Sequence, residues 1–166
     1  WLGGDPYVAA RALCAVSTAA ALVLLARVPR ATRAGVGLAL ATALASRAFV
    51  DYASSGLENA LVHALAIGTF ASCARPASSA RAQTVRVAWA SACGLARLDL
   101  AFLVAPLLAS AFARDGLPRL RSALLGALPF VAWEAFSLVY YGAFVANSAL
   151  AKLAADVDTG ARVAQG

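Results

Sequence analysis

The sequence has few charged residues, and this shortage excludes an ordinary soluble domain. Charged residues make up only 13% of the chain, against about 25% in a typical soluble protein. Hydrophobic residues make up 62%, which is more apolar surface than a single soluble core can hide. They lie in runs such as 12–26, 34–45 and 98–112. We therefore expect an all-α integral membrane protein built as a polytopic bundle of transmembrane helices.

Methionine is absent altogether, and the chain begins at Trp1. The sequence therefore lacks even an initiator residue. We interpret residues 1–166 as an internal part of one larger transmembrane domain. On this interpretation an N-terminal helix, the first outer loop and a C-terminal region are missing from it.

The spacing of the few cysteines argues against disulfides and a metal centre. The distribution of the net charge of +6 argues against a nucleic-acid site. Cys14, Cys73 and Cys93 lie within or at the ends of apolar runs, without CxxC spacing or histidine neighbours. This pattern predicts buried free thiols rather than disulfides or a metal centre. The arginines occur in small groups between apolar runs and form no stripe, so we expect no nucleic-acid partner.

The apolar runs predict about six short membrane helices. Their approximate bounds are 7–26, 34–50, 58–74, 83–97, 98–113 and 119–141. Most hold 15 to 17 residues, and at about 1.5 Å per residue they are shorter than the roughly 30 Å hydrocarbon core. Their polar ends must be sheltered, and a water-filled cavity within the protein is one place that shelters them.

The connections between these segments alternate in charge. One set is basic and holds Arg27, Arg30, Arg33, Arg75, Arg81, Arg114, Arg119 and Arg121, with Asp115 as its only acid. Cytoplasmic loops are rich in arginine and lysine, so this set is predicted to lie on the cytoplasmic side of a bacterial inner membrane. The other set is more varied and holds the acids Asp5, Asp51, Glu58, Asp99, Asp156 and Asp158, with the bases Arg47, Arg97, Lys152 and Arg162 among them. We expect functional loops on the outer, periplasmic face.

The first outer stretch surrounds a serine- and glycine-containing turn. Ser54 or Ser55 is suited to cap the next helix, with Glu58 completing a capping box. Arg47 and Asp51 are four residues apart and share a helical face, as do Asn59 and His63. These polar groups favour a cavity. His63 alone is more typical of an interhelical hydrogen bond than of catalysis.

Two further outer stretches carry candidate groups. Arg97 and Asp99 suit a local ion pair, but the planar guanidinium of Arg97 also suits the phosphate of a membrane lipid at this height. Glu134 lies inside the last apolar segment, where a carboxylate costs about 2.5 kcal/mol or more unless it is paired or hydrated. It is either a functional group or the partner of an arginine. Tyr140 and Tyr141 are typical of a membrane interface.

In this order the stretches resemble a family of GT-C glycosyltransferases. The family contains the terminal arabinofuranosyltransferase of mycobacterial cell walls and related flagellar motor control proteins. The matching stretches are 51–59 (DYASSGLEN), 97–99 (RLD) and 140–152 (YYGAFVANSALAK). The first and third are specific, and the second would be weak alone. Ala60, Leu98 and Ala146 replace family prolines, and Ser137 stands where an arginine is common.

The resemblance implies a membrane enzyme of the inverting type. Its donor would be a polyprenyl-phosphate sugar and its acceptor a glycan or protein at the outer face, with no cofactor and no metal. Arg97 and Arg47 would hold the donor phosphate, and the catalytic base would lie upstream of Trp1. The residues expected to orient sugar hydroxyls or neighbouring loops are Asp51, Tyr52, Ser55, Glu58, Asn59, Asp99, Tyr141, Asn147 and Lys152.

Two other classes of membrane protein compete with this interpretation. A non-catalytic scaffold or accessory subunit that kept the helices is permitted by the missing prolines and by Ser137. A transporter would need ionisable residues near the midplane of several helices, and only Glu134 comes close. We rank the transporter last.

Overall fold

The computed structural model describes residues 5–29, 31–55 and 58–142. Those residues form α-helices joined by short connections, with no strand among them. The helices are α1 (Pro6–Ala26), α2 (Arg33–Ala45), α3 (Arg47–Ser54), α4 (Asn59–Ala74), α5 (Ala80–Ala96), α6 (Ala101–Asp115) and α7 (Leu120–Tyr141), with a 3-10 turn at Leu98–Leu100 between α5 and α6. The all-helical prediction is confirmed for these residues.

The predicted number of about six membrane helices is not supported. In the part of the chain that the structure describes, α1 and α7 are long and apolar enough to cross a membrane, and α2 with α3 adds a third span if the bent pair counts as one. Helix α4 has only 16 residues, or about 24 Å at 1.5 Å per residue. Helix α5 also carries Arg81 and Arg86 in its 17 residues. The predicted segments are helices, but most are too short or too charged to count as spans.

The second predicted segment is not one helix, because it bends by 72° at Ser46. Ser46 has extended backbone, and its hydroxyl accepts a hydrogen bond of 3.3 Å from the Phe49 amide. A serine in this conformation ends one helix and caps the next. The bend therefore has a local cause, which the apolar pattern of the segment conceals.

The N-cap position of α4 is held by Glu58 rather than by Ser54 or Ser55. Glu58 makes no side-chain capping bond. Ser55 instead follows α3, and its hydroxyl donates to the Tyr52 carbonyl oxygen at 3.2 Å.

Contacts divide the chain into two compact units, Trp1–Phe130 and Val131–Gly166. The first unit contains α1 to α6 and the beginning of α7, and its core lies where α4 packs against α1 and α5. The described part of the second unit is the remainder of α7, with Trp133, Phe136 and Tyr140 in contact along the helix.

The first unit buries mainly small apolar residues with a few polar side chains, and its large apolar side chains lie on its surface. Its largest fully buried side chains are Arg86, Thr69 and Cys93. Large apolar side chains point outward instead, and Phe102 is 89% exposed and Leu38 70% exposed. Apolar surface on this scale is unfavourable in water and suits contact with lipid.

Small residues let the helices approach closely. A Cβ atom on Gly126 of α7 would lie 2.6 Å from Cβ of Val87 and 2.7 Å from the Thr84 carbonyl oxygen, both on α5. A Cβ atom on Gly68 of α4 would lie 2.5 Å from the ring of Trp89. Close approach at small residues is typical of helices packed in membranes, where dispersion contacts replace the hydrophobic effect.

The basic connections meet at one end of the first unit, which we call the basic end (residues 24–29, 72–83 and 111–122). The Arg114 guanidinium donates to the carbonyl oxygens of Cys73 and Arg75, at 2.7 and 3.1 Å. The Ser122 hydroxyl donates to the Ala80 carbonyl oxygen at 3.2 Å. Helices α4 and α6 therefore end here, whereas α5 and α7 begin here, as the alternation of charge along the sequence requires.

Candidate functional site

The first candidate group lies at the opposite end, between α5 and α6. Arg97 follows α5, and its Nε and Nη2 atoms donate to the two carboxylate oxygens of Asp99 at 3.0 and 2.7 Å. This hydrogen-bonded pair raises the pKa of Arg97 and lowers the pKa of Asp99. The local ion pair that the sequence offered as one interpretation is present. Its side chains remain 42% and 60% exposed, so the pair is accessible.

Glu58, at the N-cap position of α4, interacts electrostatically with this pair. The negative charge of Glu58 contributes to the raised pKa of Arg97, after the larger effects of Asp99. Glu58 is exposed and Asn59, the first residue of α4, is partly buried. One residue of each of two stretches predicted to share a site, Glu58 and Arg97, therefore interact electrostatically.

Helix α3 carries the second candidate pair. The Arg47 Nε atom lies 3.5 Å from Asp51 Oδ2, one helical turn away, and the two side chains are 94% and 65% exposed. Phe49 on the same helix stacks on His63 of α4, with ring centroids 5.1 Å apart. In the described part of the chain, no ion pair joins Arg47 or Asp51 to Arg97 or Asp99. Arg47 as a second phosphate ligand stays a prediction.

The second unit holds the remaining described candidates. Glu134 is partly exposed on α7, and within residues 131–142 nothing forms an ion pair with it. Tyr140 and Tyr141 meet edge to face, with centroids 4.8 Å apart. Asn147 and Lys152 lie outside the described residues.

The sequence interpretation missed Arg86, the most buried charged side chain among the described residues. Arg86 is 1% exposed, and its Nη2 atom donates to Asp115 Oδ2 at 2.7 Å and to the Arg75 carbonyl oxygen at 2.6 Å. Asp115 also accepts from Arg114 and from the Ala77 amide. The sequence did contain a signal, because Arg86 is a charged residue inside an apolar segment, and membrane helices normally pair such a charge with another polar group. The basic end therefore has a buried ionic centre beneath its exposed arginines.

This centre sets the ionisation of its only acid. Hydrogen bonds from Arg114 and then from Arg86 hold the pKa of Asp115 well below its usual range. The carboxylate therefore stays ionised at neutral pH. One acid shared by two arginines leaves the cluster with a net positive charge.

The cysteines are buried, as predicted, and Cys73 and Cys93 are free thiols. The Thr69 Oγ1 and Cys93 Sγ atoms lie 3.2 Å apart across α4 and α5. Within the described ranges, no group of histidine, cysteine and acidic side chains is arranged to hold a metal ion. These thiols belong to helix packing.

Comparison with known proteins adds no relative. No protein-family model, no curated protein and no solved structure matches the chain.

Proposed function

We propose that the chain is part of an integral membrane glycosyltransferase of the GT-C type. It would transfer a sugar from a polyprenyl-phosphate donor to an acceptor at the outer face of a bacterial inner membrane. The supporting observation is that Arg97 and Asp99, from one motif-like stretch, form an accessible hydrogen-bonded pair at the end opposite the basic end, where the charge of Glu58 from a second stretch acts on Arg97. The apolar exterior and the candidate spans α1 and α7 support a membrane location.

Arg97 is the proposed donor-phosphate ligand. A guanidinium has five N–H donors, and Asp99 accepts from two of them, which leaves three for phosphate oxygens. Asp99 would hold the guanidinium plane in place, and Arg97 would stabilise the negative charge that grows on the departing lipid phosphate. Glu58 and Asn59 would orient the sugar from the other side of the pair.

The same geometry favours a second candidate function, a non-catalytic membrane scaffold. Both arginines at this end already have carboxylate partners, Arg97 with Asp99 and Arg47 with Asp51. An ion pair that is complete without a ligand needs no substrate to explain it. The two functions differ in whether the protein transfers sugar at all.

The test is sugar transfer by the protein in native membranes. Radiolabelled polyprenyl-phosphate sugars are supplied as donors to wild type, Arg97→Gln and Arg33→Gln, and incorporation into acceptor is measured. We expect Arg97→Gln to lose about 100-fold in rate, the effect of removing one donor to a developing anion. Arg33 is exposed at the start of α2, so Arg33→Gln should transfer at the wild-type rate.

Two results would contradict the proposal. An Arg97→Gln protein with unchanged transfer removes Arg97 from the donor site. A wild-type protein that transfers no sugar from any polyprenyl-phosphate donor, although it is correctly inserted, supports the scaffold.

A further inference from the structure

A cavity of about 460 Å³ lies at the basic end, between α1, α4 and α5. Its rim is basic, whereas its walls are apolar. The residues that matter for its chemistry are Arg27, Arg75, Arg81, Leu24, Val85 and Trp89. The cavity is separate from the proposed sugar-transfer site, which lies at the opposite end of the same helices.

The arginines of the rim have no acidic partner. Arg27 directly follows α1, Arg75 directly follows α4 and Arg81 lies in the first turn of α5. All three are exposed, and no carboxylate of the described chain forms an ion pair with any of them. The acid of the basic end, Asp115, is already bound by Arg86 and Arg114. The rim therefore carries uncompensated positive charge.

The wall of the cavity has a specific cause in the sequence. Because Gly68 has no Cβ, the ring of Trp89 can lie against α4, where a Cβ atom would be only 2.5 Å from the ring. Trp89, Leu24 and Val85 then present apolar surface below the arginines. A ligand that fits this arrangement has an anionic head and an apolar body.

We propose that this cavity binds an anionic phospholipid from the adjoining membrane leaflet. Arg27 directly follows the candidate span α1, which would place this rim at the depth of lipid head groups, where basic pockets between helices bind anionic head groups. Arginine matches phosphate oxygens with its planar fork of donors. The apolar wall would contact the glycerol and the first part of an acyl chain, which a free phosphate ion lacks.

The test uses quenching of Trp89 fluorescence by brominated lipids in nanodiscs. Substituting Trp1→Phe and Trp133→Phe leaves Trp89 as the single tryptophan of the chain. Brominated phosphatidylglycerol and brominated phosphatidylcholine are titrated separately against unlabelled phosphatidylcholine. We expect Trp89 to be quenched at a much lower mole fraction of the anionic lipid.

The arginine variants make the test specific. Each arginine near an anionic surface contributes about fivefold to binding, so the triple variant Arg27→Gln, Arg75→Gln, Arg81→Gln should lose about 100-fold of the preference for phosphatidylglycerol. The matched control is a triple variant of exposed arginines at the start of α2 and beside the start of α7, none of which lines the cavity: Arg33→Gln, Arg119→Gln, Arg121→Gln. It should keep most of the preference, because none of these three arginines lines the cavity.

A filling variant tests the cavity itself. Val85 is 43% exposed on the wall, and Val85→Phe should reduce quenching by both lipids while circular dichroism shows unchanged helicity.

Three outcomes would overturn the proposal. They are equal quenching by the two lipids, an unchanged preference in the cavity triple variant, and displacement of the brominated lipid by millimolar inorganic phosphate. The last would identify a free phosphate site. None of these outcomes concerns sugar transfer, so they test the lipid site independently of the proposed function.

Discussion

The buried arginine of α5 provides the sharpest test of how the basic end is held together. Arg86 Nη2 makes two short hydrogen bonds, 2.6 Å to the Arg75 carbonyl oxygen and 2.7 Å to Asp115. Its Nε atom is buried and has no hydrogen-bond partner in the described structure. The substitution Arg86→Met keeps a long side chain and removes the charge and both bonds.

The expected loss of stability follows from these contacts. Hydrogen bonds to a charged group contribute about 1.5–3 kcal/mol each, so two contribute about 3–6 kcal/mol. Removing the unpartnered Nε atom offsets about 1–2 kcal/mol, the usual cost of a buried unsatisfied group. Asp115 retains Arg114 and the Ala77 amide as partners. We therefore expect Arg86→Met to lower the free energy of unfolding by about 2–4 kcal/mol.

The assay is an unfolding titration in mixed micelles, followed by circular dichroism. A thiol-reactive dye is a second probe, because Cys73 and Cys93 are buried and react only after the helices separate. The control is Arg121→Met, which changes an exposed arginine at the start of α7 and should stay within about 0.5 kcal/mol of wild type. If Arg86→Met also stays within that range, the buried cluster contributes nothing and the reasoning is refuted.

Three further measurements address packing, ionisation and orientation. Gly126→Ala should destabilise the protein by about 1–3 kcal/mol, because the added Cβ meets the backbone of α5. Gly37→Ala on α2, which has open space around it, should instead stabilise the protein by about 0.5–1 kcal/mol. Unfolding titrations that rank the two variants the other way would contradict the packing. Because Arg114 and Arg86 lower the pKa of Asp115, its stabilising effect is complete above the ordinary carboxyl pKa and is lost as pH falls below it. The acid side of a plot of unfolding free energy against pH should therefore be flatter for Asp115→Asn, and equal slopes would exclude this carboxylate. In a cysteine-free background, a membrane-impermeant thiol reagent added to intact cells should label Leu98→Cys and not Leu117→Cys; the opposite labelling would reverse the proposed orientation.

The helices could be predicted from the sequence because each depends on local composition. Helices α1, α4 and α7 begin and end within about two residues of the predicted apolar segments, as expected where polar connections separate long apolar runs. The bend at Ser46 was not predicted, because a single capping serine inside an apolar run resembles any small residue of a membrane helix. The number of spans was overestimated because short apolar segments such as α4 were accepted as spans with sheltered ends, and because the arginines of α5 were not weighed against its apolar character.

The candidate site could be predicted only in part from the sequence. The pairing of Arg97 with Asp99 spans two residues and follows from their spacing. The proximity of Glu58 to Arg97 joins two distant stretches, and no pattern within either stretch indicates it. Predictions that fall on Asn147 and Lys152 concern residues outside the described ranges.

By itself, the sequence determined that this protein is helical, apolar on its surface and divided into a basic and a mixed set of connections, because these properties add up along the chain. Only the tertiary structure decided that Arg86 would be buried against Asp115, 29 residues away, and that three arginines without an ion-pair partner in the described chain would line one cavity. The physical reason is that such contacts depend on how each helix is rotated and how closely it packs. At Gly68 and Gly126 the missing Cβ atoms permit that close packing. The scarcity of charged residues in the sequence does not reveal which of them will contact one another in the folded protein.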